Sequence, residues 1–370
     1  MRRRLVLFLP GFDPQPPRRY RELCRREGQL QAAIAGYGFR MEPGDGPAAW
    51  RTVWQDDRHE VTSRVEVLAW DDLVRPILAR RGAGGLRAMA RVLGAYGLSG
   101  AVWRLARLRP QPVLVALYPF AVHLLRIVAL VLIVRLVWVA FGLWVAVGLG
   151  WACAAAGAVL WRRLDRELYV SYLLEDMAFW SSAHGGWPPA LAERLDRFTA
   201  RARRLMAEEP WDEVLILGHS SGAGLAVSLA ARLADQPGPP ALLTLGQSLP
   251  MLTVLPCAGA LRRDLERVAK GGLPWVDVTA PGDPCCFALT DPVAFAGIAA
   301  SGPRIVSAAF SRSLSPERRA RLRWRFFRRH HQYLCAFDDP QHFDFYRTTA
   351  GPLPLAASFA GRRNSPGVRP

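Results

Sequence analysis

VLILGHSSGAGLAVSLA, residues 214–230, decides how the rest of the chain is read. Four apolar residues, Val214–Leu217, predict a short buried parallel strand. Gly218-His219-Ser220-Ser221-Gly222 fits G-x-S-x-G, and Gly224–Ala234, rich in Ala and Leu, predicts a helix. A serine on a sharp strand-to-helix turn projects its Oγ clear of the sheet. Gly218 and Gly222 remove side chains that would clash where strand and helix cross closely. The helix N-terminus adds partial positive charge beside a developing oxyanion. The plainer alternative is a glycine-rich turn in an ordinary β-α unit.

Strand, turn and helix in this order resemble the α/β-hydrolase superfamily, on its esterase and lipase side. The resemblance covers roughly residues 1–75 and 165–350, with a membrane segment inserted between them. It implies an α/β fold, with a mostly parallel sheet flanked by helices. It also implies a Ser–acid–His triad in that chain order and an oxyanion hole. Ser220 is then the nucleophile. The acid is expected on the loop after a late strand. Trp275–Thr279 (WVDVT) is followed by Ala280-Pro281-Gly282-Asp283-Pro284, so Asp283 is the candidate and Asp291 the reserve; Asp277 lies within the strand. The same P-G-D-P run is also good turn chemistry.

The triad order requires a histidine beyond Asp283. That sets aside His59, His123 and His184, and His219 lies inside the elbow itself. His330, His331 and His342 remain. His330 ranks first, because it begins an H-x-x-Y pattern like the one closing some lipases, membrane-associated bacterial ones included. His331 ranks second, and His342, in a D-P-Q-H-F-D loop, third. Leu5–Leu9 reads as a buried strand leaving into Pro10-Gly11-Phe12-Asp13-Pro14. By the same resemblance the oxyanion donors are the N–H groups of Phe12 and Ser221. No metal or cofactor is called for.

Net charge is +17 over 370 residues, nearly all from arginine, since Lys270 is the only lysine. The basic residues are scattered, with no zinc-finger spacing and no RNA-binding signature, so nucleic acid is not an expected partner. The charge suits a solvated surface or attraction to an anionic membrane face. Six cysteines without C-x-x-C spacing fit a reducing compartment. Met1–Arg4 is basic, but the apolar run Leu5–Pro10 is too short for a cleaved signal.

Pro110–Trp161 is apolar enough for two spans of about 20 residues. The expected division is Pro112–Val134 and Leu136–Trp161, turning near Arg135, with His123 and Arg126 inside the first span. Arg104, Arg107 and Arg109 precede the hairpin and Arg162 and Arg163 follow it. The positive-inside rule therefore puts both ends, and the catalytic parts, on the cytoplasmic side of the inner membrane. A hairpin that only dips into the bilayer is the alternative.

The expected organisation is a first hydrolase part (1–75), a basic amphipathic helical arm (76–110), the hairpin (111–162), a second hydrolase part (163–360) and a disordered tail (361–370). The arm, interrupted at Gly82, Gly84 and Gly85, suits a membrane surface or a solvated position. Trp50–Trp54, Val65–Trp70, Ala241–Leu245 and Arg304–Phe310 read as strands. Arg19–Ala35, Leu164–Trp180, Ala190–Met206, Gly259–Val268 and the basic Pro316–Arg329 read as helices. The resulting expectation is a membrane-anchored serine hydrolase acting on a lipophilic acyl ester. An acyltransferase or thioesterase with the same triad, or a non-catalytic membrane scaffold, are its rivals.

Overall fold

The computed structural model describes residues 1–79, 85–182, 187–238 and 240–370. Eight strands form one sheet in the order β2-β3-β4-β1-β5-β6-β7-β8. They are β1 (Arg3–Leu9), β2 (Gly38–Pro43), β3 (Ala49–Gln55), β4 (Glu60–Val67), β5 (Glu213–His219), β6 (Ala241–Leu245), β7 (Trp275–Thr279) and β8 (Arg304–Ser307). The β2–β3 and β3–β4 pairs are antiparallel. From β4 through β1 to β8 every pair is parallel.

Alternation fixes the two faces. Leu5, Leu7 and Leu9 of β1 point into one core, and Val6 and Phe8 into the other. The first core lies under α8 (Pro189–Glu208), α9 (Gly222–Leu233) and α11 (Gly259–Lys270). The second lies under α1 (Pro17–Ala35) and the C-terminal segments that carry Tyr333, Phe337 and Phe343. Strand β4 ends earlier than the Val65–Trp70 reading, because Trp70 leaves the sheet and donates its Nε1–H to the Pro10 carbonyl at 2.9 Å. Strand β2 has no counterpart among the expected strands. It is a polar edge strand with little apolar signal.

Strand β1 connects through α1 to β2–β4 on one side, while β5 lies on its other side. The carboxyl ends of β1 and β5 therefore flank the point where the strand order reverses, the usual location of a crevice in an open α/β sheet.

The region between β4 and β5 is helical: α2 (Asp71–Ala79), α3 (Gly85–Val92), one π-helical turn, α4 (Ala101–Leu108), α5 (Pro110–Phe141), α6 (Leu143–Leu168) and α7 (Val170–Trp180). Helices α5 and α6 are long and apolar enough to cross a membrane, and are almost wholly unburied by the rest of the chain. They turn at Gly142, at φ 86°, not at Arg135. Glycine enters that backbone region freely, whereas Arg135 continues the helix. Helix α5 has 32 residues, about 48 Å at 1.5 Å per residue. Arg126 lies over the Trp161 ring at 3.8 Å and meets His123 Nδ1 at 3.3 Å, so its charge is accommodated by the facing helix.

The arm departs from the membrane-surface expectation. Its apolar stripe (Ala88, Val92, Tyr96, Ala101, Leu105) packs on Leu174 and Met177 of α7, on Val254 and Leu255, and on Phe287. The stripe has a protein partner and makes a wall of the globular part. The interruptions at Gly82 and Gly84 lie outside the described residues. The last ten residues also differ from expectation. Ser365 N–H donates to Ile305 O and Arg369 N–H to Leu289 O, both at 2.9 Å, so this segment covers the open edge of β8. The basic stretch Pro316–Arg329 divides into α14 (Pro316–Leu322) and α15 (Phe326–His330), after the short helices α10 (Leu249–Thr253), α12 (Pro292–Phe295) and α13 (Phe310–Ser313).

A Cβ on Gly222 would lie 2.4 Å from both Leu9 O and Pro10 O, which are backbone atoms that cannot yield without moving β1. Gly222→Ala is therefore expected to destabilise the protein by about 1–3 kcal/mol. Gly94→Ala, with nothing within 4 Å, should be near neutral. Unfolding midpoints of both variants in detergent test this, and equal midpoints would refute it.

Candidate active site

Ser220 follows β5 with φ 58°, a left-handed conformation rare for a non-glycine residue. Neighbours on both sides impose it. The Ser220 N–H donates to Leu245 O at 3.0 Å, and helix α9 begins two residues later. A Cβ at Gly218 would meet Ala226 Cβ at 2.6 Å, and one at Gly11 would meet Ser220 Cβ at 3.0 Å. Glycines on three sides thus let β1, β5 and α9 converge on this serine. Ser220 itself is half-buried.

Asp283 and His330 stand together beside this turn. Asp283 is 2 % exposed and His330 4 %. His330 Nδ1 lies 2.7 Å from Asp283 Oδ2. The same Oδ2 accepts from Tyr333 O–H at 3.1 Å, and Oδ1 accepts from Cys285 N–H at 3.0 Å. Burial pushes the Asp283 carboxyl up, but His330 and these hydrogen bonds more than offset it, leaving it below the ordinary range. An ionised carboxylate only accepts, so His330 Nδ1 carries a proton. His330 Nε2 is buried without a hydrogen-bond partner among the described residues. His330 Cε1 is 3.2 Å from where a Cβ on Gly246 would sit, and Gly246 directly follows the carbonyl that holds Ser220 N–H. No hydrogen bond joins Ser220 Oγ to Nε2 here; such contacts commonly tighten only around substrate.

The other two late histidines have different settings. His331 Nδ1 meets the Phe327 carbonyl at 2.9 Å, and its Nε2 lies 3.7 Å from Asp13 Oδ2. His342 belongs to a loop whose carbonyl accepts from Arg362, and joins none of these contacts. Asp291 caps α12 by accepting from Val293 N–H at 2.9 Å. Asp277 bonds Thr244 Oγ1 at 2.6 Å inside the sheet, and burial pushes it up to about 7.

The oxyanion expectation needs amendment. Phe12 N–H already donates to Ser221 Oγ at 3.0 Å, so it is not a free donor. Ser221 N–H makes no hydrogen bond among the described residues. The Phe12 ring is buried among Trp70, Tyr172 and Phe179, which fixes the loop.

Sequence reading passed over three participants. Tyr333 was noticed only as part of a pattern, yet its hydroxyl holds the carboxylate. Asp13 pairs with both His331 and Tyr20 O–H. His219 stacks on His330 and His331 with ring centres 4.8 and 5.1 Å away, and its Nε2 donates to His330 O at 3.0 Å. Burial, followed by its two imidazole neighbours, holds His219 well below the usual histidine range, so it stays neutral. Asp283, Cys285 and His330 place ligand-type atoms within 4.8 Å of one another. Both carboxylate oxygens there are already taken by protein donors, which disfavours a metal.

Comparison with family models, curated proteins and solved structures finds no match to this chain.

The Asp13–His331 pair makes stability depend on pH. Burial lowers the His331 imidazole, but hydrogen bonding and charge from Asp13 outweigh it and the net shift is upward. Burial raises Asp13, and His331 and Tyr20 bring it below the usual range. The His331 contribution is complete below its unfolded value of about 6.5 and disappears as pH rises through the raised folded value. The Asp13 contribution is complete above about 4 and is lost as pH falls through the depressed value. The stability gap between wild type and His331→Gln should therefore peak between about pH 4 and 6.5 and narrow on the alkaline side. Unfolding midpoints across pH measure this, and a gap independent of pH would exclude the pair.

Proposed function

We propose that the protein is a membrane-anchored serine hydrolase that cleaves an acyl ester of a lipophilic substrate, with the hydrolase-type arrangement Ser220–His330–Asp283. The observation that carries the reading is His330 itself. Its Nδ1 is fixed by a buried carboxylate and its Nε2 is unpartnered, beside a serine held in a left-handed turn. The site lies at the strand-order reversal of a largely parallel sheet, which supports the α/β-hydrolase resemblance.

In this reading His330 Nε2 takes the proton as Ser220 Oγ attacks the acyl carbonyl. Ser221 N–H receives the developing oxyanion. Phe12 N–H joins it once the Ser221 hydroxyl turns away. Collapse expels the alcohol, which takes the proton from His330, and water then releases the acid by the reverse sequence. Asp283 stabilises the imidazolium throughout, and Tyr333 keeps Asp283 in place.

An apolar cleft between the arm and the hairpin suits a lipophilic substrate. It is lined by Val92, Tyr96 and Leu105 of the arm region and by Val113 and Phe120 at the foot of α5. Its inner wall, Met251 and Phe287, belongs to the segments that follow Gly246 and Asp283. A second apolar cleft lies under α1, and neither cleft is lined by Ser220, Asp283 or His330. The arginines flanking the hairpin support a site on the cytoplasmic side of an inner membrane under the positive-inside rule.

A fluorophosphonate probe should label the wild-type protein at Ser220, and Ser220→Ala should remove labelling entirely. Asp283→Asn and His330→Gln should slow ester turnover by roughly 10³–10⁴-fold with the protein still folded. Long-chain esters should outrun short-chain ones. An unlabelled wild-type protein would overturn the hydrolase reading, and acyl transfer to an added acceptor in preference to water would redirect it to an acyltransferase.

A further inference from the structure

The segment from Ser311 to His330 contains eight arginines and one carboxylate, Glu317. Most of them lie exposed along α14, α15 and the residues beside these helices. Arg312, Arg319, Arg321, Arg323, Arg325 and Arg328 are exposed. None of the six has an ion-pair partner among the described residues. Only Arg318 is paired, with Asp338 at 3.2 Å. Amid these charges Trp324 is 81 % exposed, with the Arg323 guanidinium 5.0 Å from its ring centre. An unpaired arginine cluster around an exposed indole has no counterpart in the protein's own packing.

Its position is set by the hairpin. Tyr169, the residue joining α6 to α7, stacks on Phe327 of α15 at 4.2 Å and on Phe326 at 6.3 Å. Tyr172 meets Phe327 edge-on at 4.8 Å. The basic helices are therefore fastened to the point where the apolar hairpin leaves the globular part. The other hairpin foot repeats the chemistry. Trp103 on α4 is 63 % exposed with Arg107 4.8 Å over its ring, seven residues before α5 begins at Pro110. Arginine–indole pairs beside both feet match what a lipid headgroup layer accepts: indole at the acyl boundary and guanidinium on phosphate.

We infer that the arginine face of α14 and α15, with Trp324, docks on an anionic phospholipid surface at the level where the hairpin exits. This rests on the membrane reading of the hairpin and is independent of any chemistry at Ser220. The contact is electrostatic, so it distinguishes anionic from neutral lipid and weakens with salt. Helix α15, at one end of the docked face, ends at His330, the candidate catalytic histidine.

Limited trypsin digestion of the full chain in lipid nanodiscs tests this, with phosphatidylcholine alone compared against phosphatidylcholine mixed with phosphatidylglycerol. Cleavage after Arg319, Arg321, Arg323, Arg325 and Arg328 should slow by roughly tenfold or more in the anionic discs. Raising salt to about 1 M, where the screening length is about 3 Å, should restore it. Amide hydrogen exchange reads the same contact without needing the cleavage sites. The Arg319→Gln, Arg321→Gln, Arg323→Gln, Arg325→Gln variant should show equal exchange over α14 and α15 in both discs. Equal cleavage of wild type in the two compositions overturns the docking face while leaving the anchor reading intact. A chain that does not remain with either disc overturns the anchor reading and this one with it. Protection by a DNA duplex added to neutral discs, without protection by phosphatidylglycerol, overturns it in favour of a nucleic-acid surface.

Discussion

The contact between Gly222 and the carbonyls of Leu9 and Pro10 governs the architecture of the site. With no side chain at Gly222, the first turn of α9 approaches the end of β1 to a distance that even a methyl group would forbid. Ser220 is the residue forced to turn between them, and its left-handed φ follows from that approach. Such strain costs of order 1 kcal/mol and persists only where packing over-determines the backbone. Here it is over-determined by the Gly218–Ala226 crossing, the Gly11 loop and the Ser220–Leu245 hydrogen bond. The same close approach brings the Phe12 amide against the Ser221 hydroxyl. One steric constraint thus sets the serine, the neighbouring amides and the loop that follows β1.

Three imidazoles share this corner, and two carboxylates sort them. Asp283 reaches His330 from the loop after β7, and Asp13 reaches His331 from the loop after β1. His219, stacked against both rings, has no carboxylate and is fully buried, so neutrality is its stable state. A neutral His219 between His330 and His331 keeps the corner from holding three mutually repelling cations. It also separates two tasks. The His330–Asp283 pair leaves one imidazole nitrogen unpartnered, while the His331–Asp13 pair ties the β1 loop to the segment that carries His330.

Much of this was legible along the chain because it is local. Gly218–Gly222 encodes its own turn. Asp283 follows a short strand, and chain order narrows the histidine to His330, His331 or His342 beyond it. What could not be read depends on contacts between distant segments. Nothing around Asp13 announces His331, and nothing around Tyr333 announces the Asp283 carboxylate. The arm from Gly85 to Leu108 is amphipathic on either a membrane or a protein, and periodicity does not distinguish them; α7 and Phe287 supply the partner. The hairpin turn was misplaced for a similar reason. Hydropathy responds to the charge of Arg135, whereas the chain reverses at Gly142, where the backbone permits it. The final ten residues look unstructured because they carry no apolar pattern; what orders them is the unpaired hydrogen-bonding edge of β8.

The hairpin is joined to the site through aromatic rings. Tyr169, at φ 56°, breaks α6 from α7 in a conformation that costs a non-glycine residue about 1 kcal/mol or more. Glycine there would relieve the strain but would leave the angle between hairpin and globular part free. Tyrosine fixes it, because its ring is held on Phe327, one helical turn from His330. Tyr172, on the first turn of α7, touches Phe327 on one side and Phe12 on the other. The element that leaves the protein through an apolar hairpin is therefore braced against both the histidine-bearing helix and the loop after β1. A tilt of the hairpin would load both contacts together, so its orientation is tied to the histidine-bearing helix and to the loop after β1.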